Sequence, residues 1–186
     1  LVGGQSFFDR EEVRDVLAYL RLLVNPEDET SLLRIVNTPP RGVGKTALDR
    51  LLEFATREGI SAAAAIERGE EVERLPPAAL TALRALRVQL ADLARRAPLL
   101  GVVEAVRKLV AEVGYRAEVE RCYPDEETRT QRWNAVEEVA NFAENYTRRT
   151  KEAGTSEPSL LGFLEELSLS TQHDQHDDAG GTDAVM

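Results

Sequence analysis

Cysteine is almost missing from this chain. Cys122 is the only one, so no internal disulfide can staple the fold, and the composition suits a reducing compartment. No apolar run is long enough to span a bilayer, and no secretory signal is recognisable. Positive charge is not in surplus either. The formal net charge of −10 rules out a general basic coat for nucleic acid. Any such contact must be a local patch, because distant charges are screened beyond roughly 8–10 Å at physiological salt. Aromatic residues make up only 5% of the chain, while Ala, Leu, Glu and Arg abound, a mixture that favours helices over sheets. Histidine is confined to His173 and His176, far in sequence from Cys122, and the carboxylates alternate with arginines on what read as helix surfaces. No convergent set of acid, base, nucleophile and metal ligands emerges.

What is present is helical periodicity. The chain has 186 residues, 42% hydrophobic and 30% charged, enough for one packed domain or one domain with pieces of a neighbour. Leu1-Val2-Gly3-Gly4 reads as a strand end entering a glycine turn. Asp9 and Glu12 have the spacing of a capping pair, and Phe8 and Val13 that of a hydrophobic staple, at the head of a helix ending near Val24. Gly59 is placed as a C-cap, Ser61 as the cap of a short Ala-rich helix, and Pro76-Pro77 as the start of a long one. That long helix carries a stripe through Leu80, Leu83, Leu86, Leu90 and Leu93, and Pro98 is expected to break it. Further helices are expected over 102–113, 115–122 and from Asp125 to about 149, with Trp133 on the core stripe. A last helix opens at Pro158-Ser159. The tail from 170 to 183, with His173, Asp174, His176, Asp177 and Asp178, reads as a flexible acidic linker rather than a metal site. Eight or nine helices are expected, with almost no sheet. The chain opens on Leu1 and closes on Ala184-Val185-Met186, which reads as a piece of something larger.

The stretch richest in chemical information is Thr38-Pro39-Pro40-Arg41-Gly42-Val43-Gly44-Lys45-Thr46. It lies between a short amphipathic segment containing Leu32, Leu33, Ile35 and Val36 and a helix with Leu48, Leu51, Leu52 and Ala55 on one face. Two prolines stop the first helix and two glycines permit a tight turn. The second helix then starts near Gly44 with several N–H groups unpaired. Such a terminus binds phosphate without reading bases. Arg41 and Lys45 flank it with formal charge. Two other readings share the pattern. A Walker A loop would need glycine where Pro39 stands and a buried strand before it. A plain helix–helix connector would use the glycines for close packing alone. Arg84, Arg87, Arg95 and Arg96 form a second basic group, read as a solvated face or a further phosphate-facing surface.

Read in order, Gly3-Gly4, Ser6 to Asp15, Leu17 to Arg21, Asn25-Pro26 and Leu33 to Gly44 resemble the segment after motif IV in UvrD/PcrA/Rep-type DNA helicases. Val43 stands where that family's GIG turn has isoleucine. Arg132 to Glu138, Phe163-Leu164-Glu165 and the terminal Ala184-Val185-Met186 resemble later family features, and the match is thin between Ile60 and Arg129. The resemblance implies a mostly α, multi-helix domain with a helix-hairpin-helix-like turn and at most short terminal strands from a neighbouring RecA-like subdomain. It implies residues 1–27 in subdomain 2A, 28–169 in the helical subdomain 2B, a linker over 170–183 and a returning 2A strand over 184–186. Thr38, Arg41, Gly42, Val43, Gly44, Lys45 and Thr46 become expected DNA-backbone contacts, and Phe7 and Arg10 candidate single-strand contacts on the 2A side. The implied parent is a three-prime to five-prime, ATP-dependent DNA helicase of the bacterial cytoplasm and nucleoid. Its expected partners are duplex DNA, the single-strand/duplex junction, its own other subdomains and regulatory proteins. ATP and magnesium are expected in that parent and no cofactor or catalytic site in this piece. The alternative is a helical protein-interaction or autoinhibitory module without DNA contact.

Overall fold

The computed structural model describes residues 7–154 and 156–179, with the backbone alone from 170 onward. A 3-10 turn, Phe7–Asp9, leads into α1 (Glu11–Val24), followed by α2 (Glu29–Ile35), α3 (Lys45–Glu58) and α4 (Ala62–Glu67). A 3-10 turn over Gly69–Glu71 precedes α5 (Pro77–Leu100), α6 (Val102–Glu112), α7 (Tyr115–Cys122), α8 (Glu126–Ala153) and α9 (Leu160–Ala179). Among the described residues there are nine α-helices and no strand, as the composition led one to expect. The expected strand ends at 1–4 and 184–186 lie outside them.

Local chemistry sets most boundaries. The Asp28 carboxylate accepts the Ser31 N–H at 3.0 Å, the Ser61 hydroxyl the Ala64 N–H at 3.0 Å, and Asp125 the Thr128 N–H at 2.7 Å. Each side chain thereby satisfies one of the orphan donors of a first turn. Gly59, Gly114 and Gly154 end or separate helices in the left-handed region.

Four boundaries depart from expectation. The residue capping α1 is Arg10, not Asp9, and its side chain makes no capping bond. Glu12 is buried instead, held by Arg132 of α8 at 2.9 Å. Helix α5 runs through Pro98 because its last turn still closes: the Gly101 N–H reaches the Ala97 carbonyl at 3.2 Å. Helix α8 continues to Ala153, so the polar connection begins only at Gly154. The α9 backbone extends ten residues past 169, since no proline or glycine intervenes before Gly180. The side chains of the proposed linker, and everything from 180, lie outside the described residues.

One apolar core joins every helix from α1 to α9. Val13, Val16, Tyr19 and Leu20 of α1 sit at its centre with Ile35, Leu51, Ile66, Leu83, Leu109, Val139 and Phe163. The leucine stripe of α5 is buried as its spacing predicts. Trp133 is only half-buried. Its indole N–H donates to Glu137 at 2.7 Å, and the Arg116 guanidinium lies 5.0 Å from its ring centre. The polar edge of the indole finds its partner at the surface while the ring packs against the core. No described helix is long and apolar enough to cross a membrane.

Candidate nucleic-acid interface

The loop between α2 and α3 is built around one amide. Asn37 Nδ2 donates to the Val43 carbonyl at 2.6 Å, and Asn37 Oδ1 accepts the Arg41 and Val43 N–H groups at 3.3 and 3.2 Å. A single side chain thus closes the turn from its base. Val43 is 3% exposed and plugs the turn into the core. The Thr38–Pro39 peptide bond is cis, and Gly42 sits at φ 73°, a conformation that L side chains rarely adopt. Gly44 is different. At φ −65°, ψ 153° it is an ordinary extended N-cap for α3.

Tyr19 of α1 supports the turn from below. Fully buried, it donates its hydroxyl to the Thr38 carbonyl at 2.5 Å and accepts from Arg41 Nη2 at 2.6 Å. Burial raises the pKa of this phenol, against the opposing pull of the Arg41 charge, so it stays protonated and able to donate. Arg41 itself, expected to add charge toward a phosphate, turns inward. Its Nη1 donates to the carbonyls of Ile35, Pro39 and Val36 at 2.8, 3.0 and 3.4 Å. These include carbonyls at the α2 C-terminus, where a cation is favoured.

The outward side of the turn is simpler. The N–H groups of Gly44, Lys45 and Thr46 precede the first acceptor of α3, whose opening bonds run from Ala47 and Leu48 to the Gly44 carbonyl at 3.0 and 3.1 Å. Among the described residues none of the three, nor Gly42, has a hydrogen-bond acceptor. Gly42, Gly44, Lys45 and Thr46 are all exposed. A Cβ placed on Gly42 or Gly44 would meet nothing within 4 Å, so there is open space on the side-chain side of both glycines. The Lys45 side chain is 87% exposed and lies on Asp49 at 2.7 Å, a surface pair that competes weakly with an incoming anion.

The other expected contacts fall elsewhere. Phe7 packs on Phe8 and on Phe142 of α8, each at 5.2 Å between ring centres, with Arg10 5.9 Å above its face. They lie before α1, whereas the turn rests on Tyr19 in its middle. In the arginine group, Arg84 is bound to Glu70, Arg87 to Glu67, Arg95 to Asp92, and Arg96 to Asp92 and Glu112. The Arg84 guanidinium and the local backbone hold the Glu70 carboxyl down at about 2. Neutralised in this way, the group reads as a solvated face. Among the described residues no three His, Cys, Asp or Glu side chains are grouped to hold a metal, and Lys45 faces Asp49.

Among the described residues, fold and site define a helical domain with an exposed glycine turn whose N–H groups at Gly42, Gly44, Lys45 and Thr46 have no hydrogen-bond acceptor. The chain belongs to the UvrD-like helicase C-terminal domain family, whose model matches residues 1–185. It is 32% identical over 189 residues to the ATP-dependent DNA helicase PcrA of Bacillus subtilis, covering 100% of this chain and 24% of that protein. It is 31% identical over 181 residues to PcrA of Staphylococcus aureus, strain Mu50, covering 97% of this chain and 24% of that one. PcrA of Staphylococcus epidermidis shares 30% over the same length. The chain spans about a quarter of the length of these relatives.

Proposed function

We propose that this chain is the helical 2B subdomain, with flanking parts of 2A, of an ATP-dependent DNA helicase of the PcrA type, and that its α2–α3 turn binds the phosphate backbone of duplex DNA. The observation that carries the reading is the set of N–H groups at Gly42, Gly44, Lys45 and Thr46 that have no acceptor among the described residues, on exposed positions of a turn that Asn37 closes. A phosphate set before them receives charge-assisted hydrogen bonds and the positive end of the α3 dipole, with the Lys45 ammonium adding a full charge. Contacts to phosphate fix position without reading sequence, as suits a motor that must act on any duplex. In this reading 1–27 belong to 2A, 28–169 to 2B, 170–183 to the connection and 184–186 to the returning 2A strand. ATP and magnesium act in the rest of the parent protein.

Duplex binding at low salt, using a duplex with a single-strand junction, tests the reading. Lys45→Ala should weaken binding equally for unrelated sequences and reduce the salt slope by about one unit. Gly42→Val should weaken it further, because a β-branched residue opposes φ 73°. Unchanged binding by both variants would leave the turn as a packing device. The second reading, a protein-interaction or autoinhibitory module, draws on Leu99, Leu161 and Leu169, which are 88%, 51% and 62% exposed. It is favoured if no salt-dependent affinity for duplex is found.

A further inference from the structure

We infer that Arg41, with Asn37 and Tyr19, is a positioning residue that holds the anion-binding face of the turn in shape, and that Arg41 makes no phosphate contact of its own. The inference rests on the phosphate-binding reading of the turn but concerns residues on its inner side. A surface arginine meant for phosphate keeps its planar fork free. Here both terminal nitrogens already have partners inside the protein. Nη1 bridges the carbonyls of Ile35, Val36 and Pro39, and Nη2 bonds the Tyr19 hydroxyl at 2.6 Å. The guanidinium carbon lies 5.8 Å from the Tyr19 ring centre. Tyr19 passes the constraint on to the Thr38 carbonyl, and Asn37 clamps Arg41 and Val43 by their N–H groups. The three side chains fix both arms of the loop, so the backbone of Gly42 and Gly44 is set before any ligand arrives. Preorganisation of this kind strengthens binding by removing the ordering cost from the binding step.

The reading separates cleanly from a contact role. A lost phosphate contact lowers affinity and flattens the salt dependence together. A lost positioning residue lowers affinity and leaves the number of phosphate contacts, and hence the slope, unchanged. Lysine cannot replace arginine here, since one ammonium on a flexible stem cannot span three carbonyls and a hydroxyl in a fixed plane.

The test uses the full 186-residue chain with Arg41→Ala, Arg41→Lys, Asn37→Ala, Tyr19→Phe and Lys45→Ala, read by duplex titration across a salt series and by amide proton–nitrogen NMR of Gly42 and Gly44. Arg41→Ala and Asn37→Ala should lose roughly tenfold in affinity with a wild-type slope, and Arg41→Lys should not rescue. Their Gly42 and Gly44 resonances should move in the free protein. Lys45→Ala should flatten the slope by about one unit and leave those free resonances nearly in place. Tyr19→Phe removes a single hydroxyl from a preserved ring, so it reports on the latch even where Arg41→Ala folds poorly. A slope lowered by Arg41→Ala as much as by Lys45→Ala would overturn the inference. So would unmoved glycine resonances in Arg41→Ala, Asn37→Ala and Tyr19→Phe. If duplex fails to bind even the wild type, the phosphate reading falls, while the free-protein resonances still decide whether the latch shapes the turn.

Discussion

Placing aspartate at Gly44 should make the protein more stable and a poorer DNA binder at once. Gly44 is the N-cap of α3, with extended backbone that aspartate adopts freely, and its Cβ would enter open space. Asp28 and Asp125 show what the new side chain would do, each accepting an N–H three residues on. In α3 the donors within reach of such a cap are the Thr46 N–H, which has no acceptor among the described residues, and the Ala47 N–H, which already reaches the Gly44 carbonyl at 3.0 Å. Replacing glycine by a carboxylate cap at a helix start gains a few tenths to about 1 kcal/mol from the hydrogen bond and the dipole. For a chain of this size that raises the melting temperature by roughly 1–4 °C. The same carboxylate would stand about 4–6 Å from a phosphate on the turn, and two like charges at that distance repel by about 1–3 kcal/mol at intermediate dielectric. Affinity should drop by roughly 5- to 150-fold. Gly44→Asn supplies the cap without the charge, so the difference between the two variants isolates the electrostatic part. Thermal melts followed by circular dichroism, with fluorescence anisotropy on a duplex at low salt, measure both quantities on one preparation. A higher melting temperature with unchanged duplex affinity for Gly44→Asp would refute the reasoning, because destabilisation could not then be masking a lost contact.

Two further outcomes follow from the core and its buried charges. Phe163 is fully buried on α9 and packs 5.7 Å from the Tyr146 ring, so Phe163→Ala should cost about 3–5 kcal/mol, read as a lowered urea midpoint with little change in slope. Burial raises the pKa of Asp15 above its ordinary 3.8, against the opposing pull of the Tyr115 hydroxyl and the Arg34 charge, with Glu11 adding to the rise. Its contribution to stability is therefore fully present below about 3.8 and is lost as pH rises through the raised value. Asp15→Asn removes that dependence. The difference in urea stability should accordingly shift toward the wild type as pH falls from about 7 to about 4, and a shift toward the variant would refute the assignment.

The parts legible in the sequence are those whose physics is local. The caps at Ser61 and Asp125, the stop at Gly59 and the α5 leucine stripe each depend on residues within one or two turns, and each appears where its pattern places it. The α2–α3 turn was legible as a turn because two prolines and two glycines crowd into it. Its inner wiring was not. Tyr19 reaches Thr38 across nineteen residues and Arg41 across twenty-two, and no periodicity announces a hydrogen bond between elements. The same limit hid the inward fold of Arg41, since an arginine beside glycines looks alike whether its fork meets solvent or carbonyls. Nor could composition say which glycine needs positive φ; Gly42 does and Gly44 does not. Only Asn37, an unremarkable polar residue at a helix end, carried a hint, through the habit of asparagine to bond nearby backbone.

Helix α8 carries a consequence of length alone. Its 28 residues make a rod about 42 Å long. It is pinned near one end where Arg132 grips Glu12 and near the other where Tyr146 meets Phe163. The two pins are fourteen residues apart, about 21 Å along the axis. Between them Val136, Val139, Ala140 and Ala143 are all buried, so this stretch is held along its length. It works as a splint that ties the head of α1 to the foot of α9 through one continuous helix.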